Sequence, residues 1–279
     1  MLRLPMRRRP RPFPATTSSP PRPISAEALA GAVHAQPGSG ARFDWGLTGA
    51  AELGRVCAVL VVVDVLSFTT AVEVAVGRGM RVHPFPWGEQ AAEYAVRVGA
   101  VAAVGRRQVT PDHPWSLSPA ALTTAPVVAD LVLPSPNGSA ISAAASATGL
   151  PVVAACLRNA RAVGRWLRRQ GYGTRDAPVG VVAAGERWPD GTLRPSVEDQ
   201  LGAASVLDAI SGVPGGLSVE AAMALAALAS TPDVPAAVRG CVSGRELIEG
   251  GFAGDVEVAV RIGVSDVVPV LRQGVFSAA

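Results

Sequence analysis

Six apolar runs punctuate the chain, and most lead through small polar residues into a helical pattern. The runs cover residues 56–63, 82–85, 101–104, 127–133, 151–155 and 179–184. The first reads VCAVLVVV. A continuous, valine-rich run of this kind suits a strand buried on both faces of a parallel sheet. Helical patterns cover residues 69–77, 88–98, 160–170, 201–210 and 218–229, with an alanine-rich stretch after Ser139. Residues 41–44 open the ordered pattern, residues 105–126 read as a long loop, and residues 239–276 alternate short helical and strand-like pieces. Strands alternating with helices at this spacing predict an α/β fold, a parallel sheet with helices on both faces. No linker interrupts it, so one domain is expected over 25–279.

The turns that follow four of these runs carry the candidate chemistry. They contain Asp64 with Ser67, Thr69 and Thr70; Ser135 with Asn137, Gly138 and Ser139; Arg158 with Asn159; and Gly185 with Glu186. In a parallel sheet such turns share the carboxyl edge, where open α/β sheets bind ligands. Helix N-termini there offer free N–H groups and partial positive charge, suited to phosphate. Helix capping explains any one of these turns equally well. Several together, beside acids, point to a site. Asp64 directly follows four valines and a leucine, placed to cap the coming helix, ligate a metal or attack phosphorus.

The richest segment follows residue 184. Glu186, Asp190, Glu198 and Asp199 stand among Arg187, Arg194, two prolines and a glycine. Carboxylates in such a cluster suit Mg²⁺, which shares its ligands with phosphate. Asp190-Gly191 reads as a turn, and Glu198-Asp199 also favours the start of a helix. Arg187 and Arg194 either pair with these acids or clamp a phosphate or sulfonate.

Composition narrows the classes. Of 279 residues, 49% are hydrophobic, which gives ample core. All 25 basic residues are arginine. Chemistry that needs a lysine is thereby excluded: the P-loop, Schiff bases and pyridoxal phosphate. Six arginines lie in the first 22 residues, so the rest carries 19 against 22 acids. A mildly acidic body argues against nucleic-acid binding. Residues 1–24 are expected to be a disordered Arg/Pro-rich extension without the apolar core of a secretory signal. No apolar run reaches the ~20 residues of a membrane span. Cys57, Cys156 and Cys241 are widely spaced, as for buried thiols in a reducing compartment, and a cytoplasmic location is expected. An alanine-rich α/β body is compatible with a homodimer.

On these motifs the chain resembles the 2-phosphosulfolactate phosphatase (ComB-like) family. Its D-V-L-R-A-[ST]-[ST]-T motif is similar to the stretch from Asp64 through Val65, Leu66, Ser67, Phe68 and Thr69 to Thr70. Its N-G-[ST] turn is matched by Asn137, Gly138 and Ser139, and its S-x-x-N-A turn by residues 156–160, which include Arg158 and Asn159. A final A-G-x…E-D motif is matched by Ala184, Gly185 and Glu186 with Glu198 and Asp199. The resemblance implies a three-layer α/β/α fold with a mostly parallel sheet. It also implies a Mg²⁺-dependent phosphatase that hydrolyses 2-phospho-3-sulfolactate to 3-sulfolactate and phosphate, in coenzyme M biosynthesis. On that reading Asp64, Glu186, Glu198 and Asp199 hold the metal, and Asp64, Glu198, Asp199 and Arg158 do the chemistry. Thr69, Thr70, Asn137, Gly138, Ser139, Asn159 and Arg194 bind a small anionic phosphate ester. One position departs: the arginine after D-V-L is Ser67 here. That change keeps a second class open, a non-catalytic binding protein for a small phosphorylated or sulfonated metabolite.

Overall fold

The computed structural model describes residues 33–88 and 90–279. The expected extension over 1–24 and the expected domain start at residue 25 lie outside the described residues. In chain order the strands are β1 (Ala41–Trp45), β2 (Val59–Val63), β3 (Arg81–Pro86), β4 (Val101–Ala102), β5 (Asp130–Ser135), β6 (Val152–Ala155) and β7 (Val179–Ala183). The short β8 (Glu186–Arg187) and β9 (Leu193–Arg194) follow, then β10 (Pro269–Arg272) and β11 (Val275–Ala278). The helices are α1 (Gly46–Gly54), α2 (Phe68–Gly77), α3 (Gln90–Val98), α4 (Pro119–Leu122), α5 (Gly138–Ser146) and α6 (Ala160–Arg169). They continue as α7 (Val197–Ala209), α8 (Val219–Ala229), α9 (Val234–Gly240), α10 (Val242–Glu249) and α11 (Ala253–Ala259).

Nine strands form one sheet in the order β1-β7-β2-β6-β10-β11-β3-β5-β4. Alternation along the central strands explains the layers. Val59, Val61 and Val63 of β2 turn to one face, into a core with Val163 and Leu167 of α6 and Leu201 and Leu207 of α7. Leu60 and Val62 turn to the other face, into a core with Leu53 of α1, Val72 of α2 and Ile141 of α5. A strand buried on both faces cannot afford polar positions, which is why its sequence is an unbroken apolar run. The result is a three-layer α/β/α arrangement, as the pattern and the family resemblance predict.

The sheet is mostly parallel and divides into two halves. β1, β7, β2 and β6 are mutually parallel, and so are β3, β5 and β4. Between the halves sits the antiparallel hairpin of β10 and β11, which pairs antiparallel with β6 on one side and with β3 on the other. Three antiparallel steps in succession set the two halves in opposite senses. This corrects the expectation that the turns after β2, β5, β6 and β7 share one carboxyl edge by parallel pairing alone. The turn after β5 reaches the end of β2 nonetheless. The Gly138 amide, at the start of α5, hydrogen-bonds the Asp64 carboxylate at 2.9 Å.

Some local readings also change. α1 is a helix that the pattern does not announce. The long loop over 105–126 contains the short α4, and the C-terminal region holds the helices α9 to α11 before the β10–β11 hairpin. The irregular segment after Gly185 is a small antiparallel hairpin, with Glu186 opposite Arg194. Its tip is the expected turn: Asp190 Oδ1 accepts from the Thr192 amide at 2.9 Å.

Candidate active site

Asp64 directly follows β2 and is buried. Its Oδ1 accepts from the amide of Phe68 at 3.1 Å, and its Oδ2 from the amide of Gly138 at 2.9 Å. One carboxylate thus holds the first residues of α2 and α5 together, and negative charge at two helix N-termini is favourable. The approach requires glycine at 138. A Cβ there would lie 2.6 Å from Asp64 Oδ2 and 2.5 Å from the Phe68 ring.

Glu198 and Asp199 stand in the first turn of α7 and face inward. Asp199 Oδ1 accepts from the Val65 amide at 2.7 Å and its Oδ2 from the Gly185 amide at 2.9 Å. It pins the residues that follow β2 to those that follow β7. Glu198 is buried, and its Oε2 accepts from the thiol of Cys241 at 3.2 Å. Glu186 comes from β8, and its Oε2 accepts from Asn137 Nδ2 at 2.8 Å.

These acids sense one another. Burial first, then the charge of Glu198, pushes the Asp64 carboxyl up to about 6, against the pull of the Phe68 and Gly138 amides. Burial and the charge of Asp64 push Glu186 up to about 7. Burial and the charges of Asp64 and Glu198 hold Asp199 well above the ordinary carboxyl range. Carboxylates crowded in a region of low dielectric retain protons or recruit a cation. Oxygen donors of this kind suit Mg²⁺, which takes one or two carboxylates and completes its shell with water and phosphate. Among the described residues no three His, Cys, Asp or Glu side chains are grouped as a ready-made metal cage.

Asp64 and Glu186 line a cavity of about 490 Å³. Its other walls include Ser67, Trp87, Arg106, Arg107, Asn137, Ser243 and Phe252. A larger groove of about 820 Å³ lies beside β1 and α8 and contains none of the four acids.

The other expected site residues divide. Asn137 lines the cavity, and Gly138 places its amide on Asp64. Arg194 lies near enough for its charge to pull Glu186 down, and it packs over the Trp188 ring, 5.8 Å from the centroid. The hydroxyls of Thr69, Thr70 and Ser139 are taken by the backbone carbonyls of Asp64, Val65 and Ser135, at 2.8, 2.8 and 2.5 Å. All three residues are fully buried, so their side chains build the turns and offer no hydroxyl to the cavity. Asn159 is likewise enclosed: its amide bonds the Cys156 N–H and the carbonyls of Ala154 and Val267. Arg158 turns away from the acids. Its Nε meets Glu73 Oε2 of α2 at 2.5 Å, and its Nη1 meets the Val258 carbonyl at 3.1 Å.

Arg106 is the cation that the sequence reading does not find. It stands just after β4 in a pair of adjacent arginines, with no motif around it. Its Nη2 donates to Ser67 Oγ at 2.7 Å, and its charge acts on Asp64. The position that bears arginine in the D-V-L-R motif therefore bears a serine with a guanidinium resting on it.

The sequence profile described as 2-phosphosulpholactate phosphatase matches residues 48–274. A comparison with curated proteins gives no match. The matched span contains the acids, Arg106 and Ser243, and covers most of the chain. The chain therefore belongs to the 2-phosphosulpholactate phosphatase family, a family of phosphoric monoester hydrolases.

Proposed function

We propose that the protein is a Mg²⁺-dependent phosphatase for a small anionic phosphate monoester, with 2-phospho-3-sulfolactate, the family's substrate, as the first candidate. The carrying observation is the cavity in which Asp64 and Glu186 meet Arg106 and Arg107. A phosphate monoester needs cationic partners for its oxygens, a proton for the departing alcohol, and a site that positions water.

The chain's residues divide these tasks. Glu186, pushed up to about 7, is about half protonated at neutral pH. In that form it gives its proton to the leaving alcohol oxygen as a water oxygen bonds to phosphorus and the ester P–O bond breaks, the water's protons leaving with the phosphate. Asn137 Nδ2 holds that carboxyl in place. Asp64 is fixed by two backbone amides, so its orientation costs nothing when substrate arrives. Arg106 faces negative charge that grows on the phosphoryl oxygens. Asp64, on the cavity wall, would supply carboxylate oxygen to the divalent cation, with water and phosphate completing its shell, while Glu186 stays free to carry the proton. When bound, that ion supplies charge neutralisation and polarisation of the phosphoryl group.

The reading is tested by phosphate release from a panel of metabolite monoesters, with Mg²⁺ and with EDTA. Release from at least one ester, lost with EDTA, supports it. A folded protein that turns over none of them defeats it. The same outcome with tight binding of a panel member would identify a binding protein.

A further inference from the structure

We propose that Arg106 and Ser243 form an oxyanion-binding subsite in the cavity, Arg106 supplying from a distant loop the guanidinium that the D-V-L-R motif carries at position 67. The proposal rests on the phosphatase reading only for the source of the oxyanion, the phosphoryl group or the phosphate released.

Arg106 is fixed before any ligand arrives. Its Nε bonds Asp255 Oδ2 at 2.8 Å, and its Nη2 bonds Ser67 Oγ at 2.7 Å and the Leu117 carbonyl at 3.2 Å. Asp255 is buried and is itself held by the Ser118 hydroxyl and by the Ala120 amide at 3.1 Å. The Arg106 guanidinium also stacks over Phe252, 5.6 Å from the ring centroid. Among the described residues Nη1 has no hydrogen-bond partner, so one arm of the planar fork remains for a ligand. A guanidinium with a fixed plane matches an oxyanion better than a flexible ammonium does. Asp255 balances the charge of Arg106. Arg107, exposed on the cavity wall over the same Phe252 ring, adds a second guanidinium.

Ser243 is the independent observation. It lies in the first turn of α10, lines the same cavity and is 5% exposed. Its Oγ is the one buried side-chain nitrogen or oxygen without a hydrogen-bond partner among the described residues. Buried hydroxyls are nearly always satisfied, and an unsatisfied one costs stability in the free protein. An unpaired hydroxyl on a residue that lines the same cavity as the preset arginine fits a donor reserved for a ligand oxygen.

The test uses the full chain and inorganic phosphate as the probe, by calorimetry, with thermal unfolding alongside. Ser243→Ala loses no protein hydrogen bond, so its unliganded Tm should equal or exceed that of the wild type, while its phosphate Kd weakens roughly tenfold. Arg106→Lys keeps a charge for Asp255 but loses the fork, and should also weaken phosphate roughly tenfold or more. In an Arg106→Ser background, Ser67→Arg should restore phosphate affinity toward wild type. Wild-type affinity in Ser243→Ala or in Arg106→Lys overturns the subsite. Failure of Ser67→Arg to restore binding overturns the exchange of positions. If the variants lose phosphate as expected but the wild type hydrolyses no ester, the phosphatase reading fails and the subsite stands.

Discussion

The Gly138 amide donates to Asp64 Oδ2 at 2.9 Å, joining the start of α5 to the residue after β2, 74 positions apart in the chain. The contact seats the cavity's central carboxylate against the start of α5, and only a residue without a side chain can make it. Gly138→Ala drives a methyl into the Asp64 carboxylate and the Phe68 ring. Overpacking of this kind costs about 1–3 kcal/mol. A displaced Asp64 should lower kcat by roughly 100-fold. Denaturant unfolding and steady-state kinetics check both, and a variant with normal kcat would show that the position of Asp64 is unimportant to turnover.

Glu186→Gln separates stability from activity. Glutamine keeps an acceptor for Asn137 but carries no charge and no transferable proton. The unliganded variant should melt higher than the wild type at pH 8, because repulsion from Asp64 and Glu198 is gone. Its kcat should fall by about 10²–10⁴. In the wild type, turnover should decline as pH rises through about 7, where Glu186 loses its proton. A pH–rate profile flat from 6 to 9 would remove Glu186 as the proton donor.

The same acids set the sign of the pH dependence of stability. Asp64 and Glu186 hold protons more tightly in the folded state than in the unfolded chain, with carboxyls at about 6 and about 7. Between pH 4 and 7 the folded state therefore binds more protons, and stability falls as pH rises through that window. The ion pair of Asp130 with Arg81 acts the other way, since the Arg81 hydrogen bond holds Asp130 below the ordinary range and its contribution is lost in acid. The metal-free protein should thus melt highest near pH 4, where Asp130 is already ionised and the acid cluster still holds its protons, and several degrees lower at pH 8. Mg²⁺ added at pH 8 should recover part of the loss. Calorimetric scans from pH 4 to 9 with EDTA decide it, and a Tm that rises steadily to pH 8 would contradict the acid cluster.

Arg158 should behave as a structural residue. Its partner Glu73 is buried in α2, and breaking such a pair by removing one member costs about 3–5 kcal/mol. Arg158→Ala should lose about that much stability, with KM unchanged in the fraction that remains folded. Arg158→Met combined with Glu73→Gln should recover most of it. If Arg158→Ala folds as stably as the wild type but loses turnover, Arg158 returns to the chemistry.

What the sequence discloses depends on the range of the interaction. The runs over 56–63, 151–155 and 179–184 are legible as central strands because burial on both faces removes every polar position. Asp64, Glu186, Glu198 and Asp199 are legible because several acids gathered just after apolar strands exceed what capping the following helices requires. α1 escapes notice because its sequence, GLTGAAELG, has three glycines and only a short apolar stripe. The β10–β11 hairpin hides for another reason: its strands have four residues each and find their place in the sheet only through β6 and β3. Arg106 is invisible for the same reason, since the contact that fixes it, with Asp255, spans 149 positions. Arg158 shows the converse error, where motif and strand end suggest chemistry but Glu73 claims the side chain.

Phosphate-ester hydrolysis at Asp64 is the step on which the proposed function depends. Its most direct test is the rate of inorganic phosphate release from 2-phospho-3-sulfolactate with Mg²⁺, for the wild type and for Asp64→Asn, each confirmed folded by circular dichroism. The account predicts turnover by the wild type and a loss of at least roughly 100-fold in the variant. Equal rates in the two proteins, or no release by the wild type from this or any other monoester, would contradict it.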